Sequence, residues 1–302
     1  MSELPPYATT GERVWFYSFR VICGFILFFL IAPIVIVVPL SFNAQPYFSF
    51  TNGMLTLQPE ALSTRWYADI LRNGMAAPDA DEGWWGDMWQ NAQWIRAMKN
   101  SFFIGIFATL ISTSLGTVAA VGLSRSEMPY RRVIMAVLIS PMIVPLVIIG
   151  AGMFYFFSQV GLAYTYPGII LAHAVLGTPF VIITVTATLS GFDQSLVRAS
   201  ASLGANPVTT FFKVQMPLII PGVISGALFA FITSFDEVVV MLQMASAEQR
   251  TIPRQMFSGI REQISPTILA VATILVIISI ALLTTVEMLR RRSERLRGMS
   301  PS

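Results

Sequence analysis

The side chains with the clearest chemical potential are two adjacent acids, Asp236 and Glu237, which lie inside a long apolar run. An acidic side chain near the middle of a membrane costs about 2.5–3.5 kcal/mol on insertion scales, so such residues face a cavity or a partner. Adjacent helical residues point about 100° apart, so both acids need not line the same path. We predict that Asp236 lines a pathway; the alternative is a structural hydrogen bond or solvation at a helix end.

Metal and nucleophilic chemistry are disfavoured, because the chain has one histidine and one cysteine. His173 and Cys23 lie far apart in apolar runs, whereas a structural metal site needs several ligands together. We expect no metal site and no catalytic residue. His173 is predicted to be a buried packing residue with one hydrogen bond, and Cys23 a small apolar side chain.

A polar, helix-compatible segment, Val197–Pro221, separates two long apolar runs, which is unusual for a soluble core. We predict a short amphipathic helix over Leu196–Leu203 that ends at Gly204 in the left-handed conformation typical of helix caps. Phe211 and Phe212 are expected to pack beneath this helix. The alternative is an ordinary amphipathic loop at the membrane surface.

The composition places the chain among membrane proteins. It has 302 residues, of which 55% are hydrophobic and only 12% charged, with a mean hydropathy of +0.68. Soluble domains carry about 25% charged residues. A membrane-spanning helix needs about 20 apolar residues. Six stretches meet this requirement: Val21–Leu40, Lys99–Leu123, Val133–Phe157, Tyr166–Ser190, Leu218–Val240 and Pro266–Leu289.

The basic residues predict the orientation of these spans. With a cytoplasmic N-terminus, the short cytoplasmic loops and the tail hold 12 of the 19 basic residues, so both termini are predicted to be cytoplasmic. No small-residue cleavage pattern follows the first span, which therefore reads as an uncleaved anchor. The basic tail is expected to touch anionic lipid, and no nucleic-acid partner is expected.

The longest connection, Ser41–Met98, is predicted to be a periplasmic loop with one short helix near Thr64–Asn73. It contains five of the six tryptophans. Because tryptophan favours the membrane interface, the loop either lies on the headgroups or docks a soluble protein.

Small residues and prolines indicate how the spans pack. Small side chains four apart let helices approach closely in lipid, and prolines break the hydrogen-bond ladder where protein or a cavity can satisfy the freed carbonyls. The small residues are Ser112, Gly116 and Ala120, and Gly222, Gly226 and Ala230; the prolines are Pro141, Pro145 and Pro179.

The polar segment resembles the cytoplasmic coupling signature of ABC-importer permeases, which reads Glu-Ala-Ala, three residues, Gly, nine residues, Ile, one residue, Leu-Pro. Gly204, Val214, Met216 and Pro217 fall at the matching positions, and Pro217 is expected to begin the next membrane helix. Arg-Ala-Ser stands at 198–200 in place of Glu-Ala-Ala. We therefore expect either that the ATPase surface in contact with Arg198 is acidic, or that a second permease supplies the missing Glu. The resemblance assigns ATPase coupling to Arg198, Ala199, Ser200, Leu203, Gly204, Ala205, Phe211, Phe212, Val214, Met216 and Pro217.

A second block is similar to the spermidine/putrescine branch of these permeases: SFDEVV at Ser234–Val239, with TIPRQMFSGIREQISPT at Thr251–Thr267. The resemblance covers about residues 15–290. It implies a bacterial inner-membrane subunit with a type I, MetI-like permease fold of six transmembrane helices. The implied partners are a second homologous permease, a cytoplasmic ATPase dimer and a periplasmic binding protein. ATP and Mg belong to the ATPase, and this chain holds no cofactor.

For a polyamine, carboxylates are the expected counter-ions, and aromatic faces also attract cations. The predicted pathway set is therefore Asp236, Glu237, Tyr155, Tyr164 and Tyr166. We treat residues 1–302 as a single permease domain. Its parts are a cytoplasmic N-terminus (1–20), an outer loop (41–98), a core (96–289) that includes the coupling segment (191–216), and a basic tail (290–302).

Other functions stay open at this stage. An ABC permease for another small organic solute, such as an amino acid derivative or an opine, has the same signature. An ion-coupled secondary transporter favours internal repeats and more buried titratable groups, and we find no repeat. A membrane enzyme needs clusters of His, Asp or Cys. The chain has no Gly-rich phosphate loop, so ATP hydrolysis falls to a partner.

Overall fold

The computed structural model describes residues 7, 9–80, 82–125, 127–193, 195–262 and 265–296. Within these ranges the chain forms helices and no β-strand, with one isolated backbone bridge between Asn43 and Leu62. The predicted all-α class is confirmed. The part of the predicted basic tail beyond residue 296 lies outside the described residues.

The helices give the framework for all later positions. In chain order they are α1 (Thr10–Leu40), α2 (Asn52–Leu55), α3 (Arg65–Arg72), α4 (Trp84–Asn91), α5 (Gln93–Leu123), α6 (Arg131–Ile139), α7 (Leu146–Gln159), α8 (Tyr166–Ser190), α9 (Ser195–Ser202), α10 (Pro207–Thr210), α11 (Met216–Phe235), α12 (Val239–Met244), α13 (Ile252–Glu262) and α14 (Thr267–Leu296). Short 3₁₀ turns occupy Pro59–Ala61 and Ser140–Met142, and a π-turn occupies Phe211–Gln215.

Backbone contacts divide the chain into two compact units, residues 1–72 with 259–302 and residues 73–258. In the first unit, α14 packs against α1 and α3. The N-terminus of α1 is closed by a capping box between Thr9 and Glu12, which satisfies two backbone donors that the helix leaves free. Most side chains of α1 are exposed, as expected for a helix surrounded by lipid.

The first part of the predicted outer loop is folded. The predicted short helix exists as α3, and Trp66 of α3 donates its indole N–H to the carbonyl oxygen of Asn43 at 2.7 Å. Asp69 of the same helix accepts a hydrogen bond from the Thr267 hydroxyl at 2.6 Å. These contacts join segments that are distant in sequence, so the pattern of the loop alone did not reveal them.

In the second unit, the sequence analysis missed α4, and α5 begins at Gln93 rather than at Lys99. The Asp87 carboxylate on α4 accepts hydrogen bonds from the side chain of Asn91 (2.7 Å) and the backbone N–H of Ala77 (2.8 Å). These bonds, that from Asn91 foremost, lower the pKa of Asp87. Polar residues in α4 and in the first turn of α5 hid both features from a search for apolar runs.

The core of the second unit consists of α5, α8 and α11, each packed against the other two. The predicted small residues lie at their crossings. A Cβ at Gly116 would lie 2.7 Å from Val181 Cβ, and one at Gly226 would lie 2.9 Å from Val181 Cα. Ser112 is buried and donates across the crossing to the carbonyl oxygen of Ala174 at 3.0 Å. Close backbone approach through small residues is therefore confirmed.

The third predicted span is broken rather than continuous. The stretches Arg131–Met142 and Leu146–Gln159 are bent by 99° relative to each other. Pro145 stands at the break with ψ of 130°, outside the helical region. Pro141 occupies the preceding 3₁₀ turn. Because proline removes a backbone donor and restricts the residue before it, two prolines in this short stretch end α6 and begin α7 in a new direction.

Among the residues that the structure describes, four helices are long and apolar enough to cross a bilayer, and the bent pair makes a fifth span if it counts as one. The fifth predicted span, Leu218–Val240, differs at both ends, because the helical stretch runs from Pro207 to Phe235. The sixth predicted stretch, Pro266–Leu289, lies within α14 (Thr267–Leu296) except for its first residue.

Candidate coupling elbow and pathway residues

The polar segment between α8 and α11 is a compact helix–turn–helix, which we call the elbow (Ser195–Thr210). Asp193 accepts hydrogen bonds from the hydroxyl (2.6 Å) and the backbone N–H (2.8 Å) of Ser195 as α9 begins. These bonds, with a smaller contribution from the positive charge of Arg198, lower the pKa of Asp193. A carboxylate at this end of a helix also interacts favourably with its dipole.

The end of α9 has the predicted cap. Gly204 has φ of +83°, the left-handed region that glycine adopts without a steric penalty. Its N–H donates to the carbonyl oxygen of Ala201 at 3.0 Å, and the N–H of Ala205 donates to that of Ser200 at 3.0 Å. This pair of bonds is the Schellman arrangement, so it fixes the direction in which the chain leaves α9.

Two side-chain hydrogen bonds make the elbow rigid. Asn206 accepts from the backbone N–H of Thr209 at 2.7 Å and so caps α10, with Pro207 in its first turn. The hydroxyl oxygens of Ser200 and Thr210 lie 2.9 Å apart and are buried, which ties α9 to α10. The two short helices therefore form one unit.

The junction between the elbow and α11 corrects the predicted role of Pro217. The membrane helix does not begin at Pro217, because helical backbone is continuous from Pro207. A π-turn precedes the proline, and the N–H of Met216 donates to the carbonyl oxygen of Phe211. Pro217 has no N–H for the bond to residue 213 that an α-helix requires, so a π-turn is a natural accommodation at this point.

The surface of the elbow is largely exposed and partly apolar. Leu203 is 87% exposed and Val208 65% exposed. Phe212, which we expected beneath α9, is 63% exposed, whereas Phe211 is half-buried. Of the other signature residues, Arg198, Ala199, Gly204 and Pro217 are exposed, Ala205, Val214 and Met216 are half-buried, and Ser200 is buried. The structure thus places the signature residues up to Ala205 on the accessible elbow. The others lie in the π-turn and the first turn of α11: Phe211, Phe212, Val214, Met216 and Pro217.

The two acids of the apolar run have different environments. Asp236 is the C-cap residue directly after α11, and it is exposed. Glu237 is only 5% exposed, and its carboxylate accepts a hydrogen bond from the backbone N–H of Val240 at 2.8 Å. Both acids lie in the break between α11 and α12 rather than inside a continuous helix. Glu237 therefore caps α12, while Asp236 is available to another molecule.

The three tyrosines also differ. Tyr166 donates its hydroxyl to the side-chain oxygen of Asn100 at 2.9 Å, which links α8 to α5. Tyr155 and Tyr164 are 69% and 54% exposed, and both rings contact Phe154, at centroid distances of 6.0 and 5.8 Å. The hydroxyl of Tyr166 is thus used within the protein, and the other two rings form an exposed aromatic cluster on α7 and the turn before α8.

The sequence analysis missed Asn100, a buried amide that organises one end of the bundle. Its side chain donates to the carbonyl oxygens of Glu248 (2.9 Å) and Arg250 (3.0 Å). An amide at the start of an apolar run was the available signal, because a buried polar group needs partners.

Comparison with known proteins places the chain in a family. Residues 112–297 match the family described as "Binding-protein-dependent transport system inner membrane component". The chain is 28% identical over 265 residues to the "Spermidine/putrescine transport system permease protein PotC" of Haemophilus influenzae, which covers 88% of this chain and 93% of that protein. It is 29% identical over 254 residues to the "Putrescine transport system permease protein PotI" of Escherichia coli K12, which covers 82% and 81%.

The fold is also similar to that of a solved structure. A chain in the crystal structure of a bacterial ABC transporter "involved in the import of the acidic polysaccharide alginate" aligns with a TM-score of 0.65 and 17% identity, over 95% of this chain and 99% of that one. At this identity the likeness concerns the fold alone. The match over residues 112–297 includes the elbow, α11 and the two acids, and it means that the chain belongs to the family of inner-membrane components of binding-protein-dependent transport systems.

Proposed function

We propose that this chain is one permease subunit of an ATP-driven polyamine importer in a bacterial inner membrane. In this proposal six helices cross the membrane, both termini are cytoplasmic, and residues 1–302 work as a single permease domain. A second homologous permease, two ATPase subunits and a periplasmic binding protein complete the complex. ATP and Mg bind to the ATPase, and this chain carries out no bond chemistry.

The observation that carries the proposal is the elbow. It combines the Gly204 turn, the buried Ser200–Thr210 contact and an exposed apolar surface that includes Leu203 and Val208. Exposed apolar surface is costly in water and commonly marks a site of protein interaction. A rigid helix pair of this kind transmits a displacement of a bound ATPase to α11, because helical backbone is continuous from α10 into α11.

The mechanism is alternating access. ATP binding closes the ATPase dimer and moves the elbow, and the helix bundle then changes from an inward-open to an outward-open state. A ligand shifts such an equilibrium only by binding the two states with different affinity. The loaded binding protein therefore binds the outward-open state more tightly, and ATP hydrolysis returns the bundle to the inward-open state.

Two observations support a polyamine as the solute. The names of the related proteins specify spermidine and putrescine. In addition, the exposed Asp236 lies at the end of the membrane helix α11, where a carboxylate can accompany an organic cation. Exposed Tyr155 and Tyr164 are candidates for cation–π contacts on the same route.

The coupling role is tested by valine substitutions at two glycines of the same connection. The complex is reconstituted in lipid nanodiscs with its ATPase and binding protein, and ATP hydrolysis is measured with and without the loaded binding protein. Gly204→Val places a β-branched residue at φ of +83°, so we expect stimulation of hydrolysis to be lost. Gly191→Val is the control, because Gly191 has φ of −94° and its nearest neighbouring atom to a Cβ lies 3.9 Å away. Equal stimulation in both variants contradicts the coupling role.

The solute is tested by calorimetry of the binding protein with putrescine and spermidine, and by uptake into vesicles. Asp236→Asn is expected to reduce uptake without a change in thermal stability. Glu237→Gln is the matched control, since its amide oxygen still accepts the Val240 N–H. Unchanged uptake by the Asp236 variant removes that residue from the pathway, and tight binding of a non-polyamine solute instead overturns the substrate assignment.

A further inference from the structure

A second polar site lies at the end of the bundle where α5 and α8 begin. The elbow, in contrast, lies at the end where α8 ends and α11 begins. It is a cavity of about 230 Å³ within the second unit. Its polar lining consists of Gln93 and Arg96 from the first turns of α5, Glu248 and Arg250 from the segment after α12, and Gln255 from the first turn of α13. None of these residues has a part in the coupling elbow or the predicted pathway.

The wall of this cavity is built on buried hydrogen bonds. Asn100, which is 6% exposed, holds the backbone of Glu248 and Arg250 through its amide donors, and Tyr166 donates to the amide oxygen of Asn100. The N–H of Ile252 donates to the buried hydroxyl of Ser101 at 2.8 Å. The segment 248–252 is therefore fixed on α5, and the cavity exists before any partner arrives.

The side chains inside the cavity are linked by hydrogen bonds, but these bonds do not neutralise the charges of Arg96 and Arg250. Arg250 donates to the side-chain oxygen of Gln255 at 3.3 Å, and Gln255 donates to that of Gln93 at 3.1 Å. Arg96 donates to the carbonyl oxygen of Gln90 at 3.1 Å. These acceptors are neutral groups and leave the two positive charges in place. The Nε donor of Arg250 is buried and has no acceptor among the described residues.

The electrostatic character of the cavity is positive. Two guanidinium groups face one carboxylate, that of the exposed Glu248. Both α5 and α13 begin at the cavity, and helix N-termini carry partial positive charge. Nearby, burial first and the charge of Arg250 second lower the pKa of Arg254, as expected where cations accumulate. Such a site repels a polyamine and attracts an anion.

We propose that this cavity is a preformed socket for a carboxylate side chain on the surface of the soluble binding protein. Arg96 and Arg250 pair with that carboxylate, and the rigid segment 248–252 sets its position. This inference rests on the proposed function, which supplies a soluble partner on the outer side of the membrane. A guanidinium is suited to this task because its planar fork binds a carboxylate through two parallel hydrogen bonds.

The test measures binding of the loaded binding protein to the assembled complex in nanodiscs, at low and high salt. The double variant Arg96→Glu/Arg250→Glu is expected to weaken binding by about 10-fold or more at low salt, with a smaller salt dependence than the unmodified complex. Glu248→Gln is expected to tighten binding, since it removes the one negative charge of the socket. Arg132→Glu, the same charge reversal on α6 outside the cavity, is the control and is expected to have no effect.

Two milder variants, Arg96→Gln and Arg250→Gln, remove the charge without reversing it and are used if the Glu variants do not fold. Each variant is first checked for thermal stability and basal ATP hydrolysis. Rescue of the double Glu variant by an acid-to-lysine change on the binding protein identifies the pairing carboxylate. Unchanged affinity of a folded double variant overturns the socket. Weaker binding of Glu248→Gln, with intact binding of the arginine variants, overturns it in favour of a cation site. If the unmodified complex shows no stimulation by any binding protein, the proposed function itself fails.

Discussion

The imidazole Nδ1 of His173 lies 2.8 Å from the hydroxyl oxygen of Ser234. His173 has no exposed surface and Ser234 is 3% exposed, so this contact joins α8 to α11 inside the core. Ser234 stands two residues before Asp236, in the last turn of α11. The predicted packing role of His173 is therefore confirmed, and the contact positions the helix end that carries the exposed acid.

Removing this contact has a predictable cost. Ser234→Ala is expected to destabilise the protein by about 0.6 kcal/mol, the average for hydrogen bonds between helices of a membrane protein, and by no more than about 1.7 kcal/mol. The measurement is unfolding of the purified complex by a denaturing detergent. Ser114→Ala is the control, because the Ser114 hydroxyl is exposed and donates within its own helix, to the carbonyl oxygen of Leu110. Equal effects of the two substitutions would show that the contact with His173 contributes nothing.

The close crossing of α8 and α11 predicts a steric effect. Gly226→Ala places a methyl group 2.5 Å from the Thr184 hydroxyl oxygen and 2.9 Å from Val181 Cα, so about 1–3 kcal/mol of stability should be lost. Gly152→Ala on α7 meets no atom of the described residues within 4 Å and should stabilise its helix slightly, by about 1 kcal/mol or less. The same unfolding assay compares them. A neutral Gly226→Ala would mean that the two helices separate easily.

The π-turn before Pro217 predicts that one substitution can impair coupling to the ATPase without lowering the stability of the protein. Pro217→Ala restores an N–H that can bond to the carbonyl of Lys213, so the turn can convert into α-helix. Loss of the extra residue of a π-turn rotates the elbow by about 100° around the axis of α11. We expect equal or greater thermal stability and a several-fold loss of binding-protein-stimulated ATP hydrolysis. Pro221→Ala, one turn later in the same helix and outside the π-turn, is expected to retain stimulation.

Arg198 stands where the coupling signature has Glu, so reversing its charge is expected to change the coupling to the ATPase. Arg198 is exposed on α9, and in the proposed function it pairs with an acidic group of the ATPase. Arg198→Glu is therefore expected to reduce stimulated ATP hydrolysis, and Arg198→Lys to retain most of it. Higher stimulation in the Arg198→Glu complex would contradict a role for the positive charge.

The hydrogen bonds to Asp87 predict a dependence on pH. Because the pKa of Asp87 is lowered in the folded state, its contribution to stability is present above the pKa of an unfolded aspartate, about 3.9. It is lost as the pH falls through the lower, folded value. Amide hydrogen exchange at Ala76 and Ala77, corrected for the intrinsic rate, should therefore lose protection in that acidic range. Asp87→Asn should lose protection at neutral pH and show little further change on acidification.

The chemistry of short sequence segments was sufficient to predict several structural features of this chain. Long apolar runs predicted the helices α1, α5, α8, α11 and α14, because a helix in lipid satisfies its backbone within one segment. Gly204 predicted the end of α9, since a left-handed cap requires little more than the absence of a Cβ. The acids Asp236 and Glu237 were conspicuous because charge in an apolar run is costly.

Other features depended on contacts that no local pattern contains. The amino-acid sequence did not show how the environments of Asp236 and Glu237 differ. Only the structure shows that Glu237 accepts the Val240 N–H as a buried cap and that Asp236 is exposed. The bend at Pro145 and the π-turn before Pro217 were visible as prolines, but the 99° angle of the bend and the bond from the Met216 N–H to the Phe211 carbonyl oxygen are seen only in the structure.

The polar network at the other end of the bundle shows the same limit. Asn100 and Arg250 are separated by 150 positions along the chain, yet the amide of one holds the backbone of the other at 3.0 Å. The sequence by itself determined the class of protein through its composition, the family through its resemblance to a known signature, and the cap of the elbow at Gly204, because hydropathy and turn chemistry act over a few residues. The tertiary structure decided which polar groups meet, because hydrogen bonds between distant segments form only after the helices have packed.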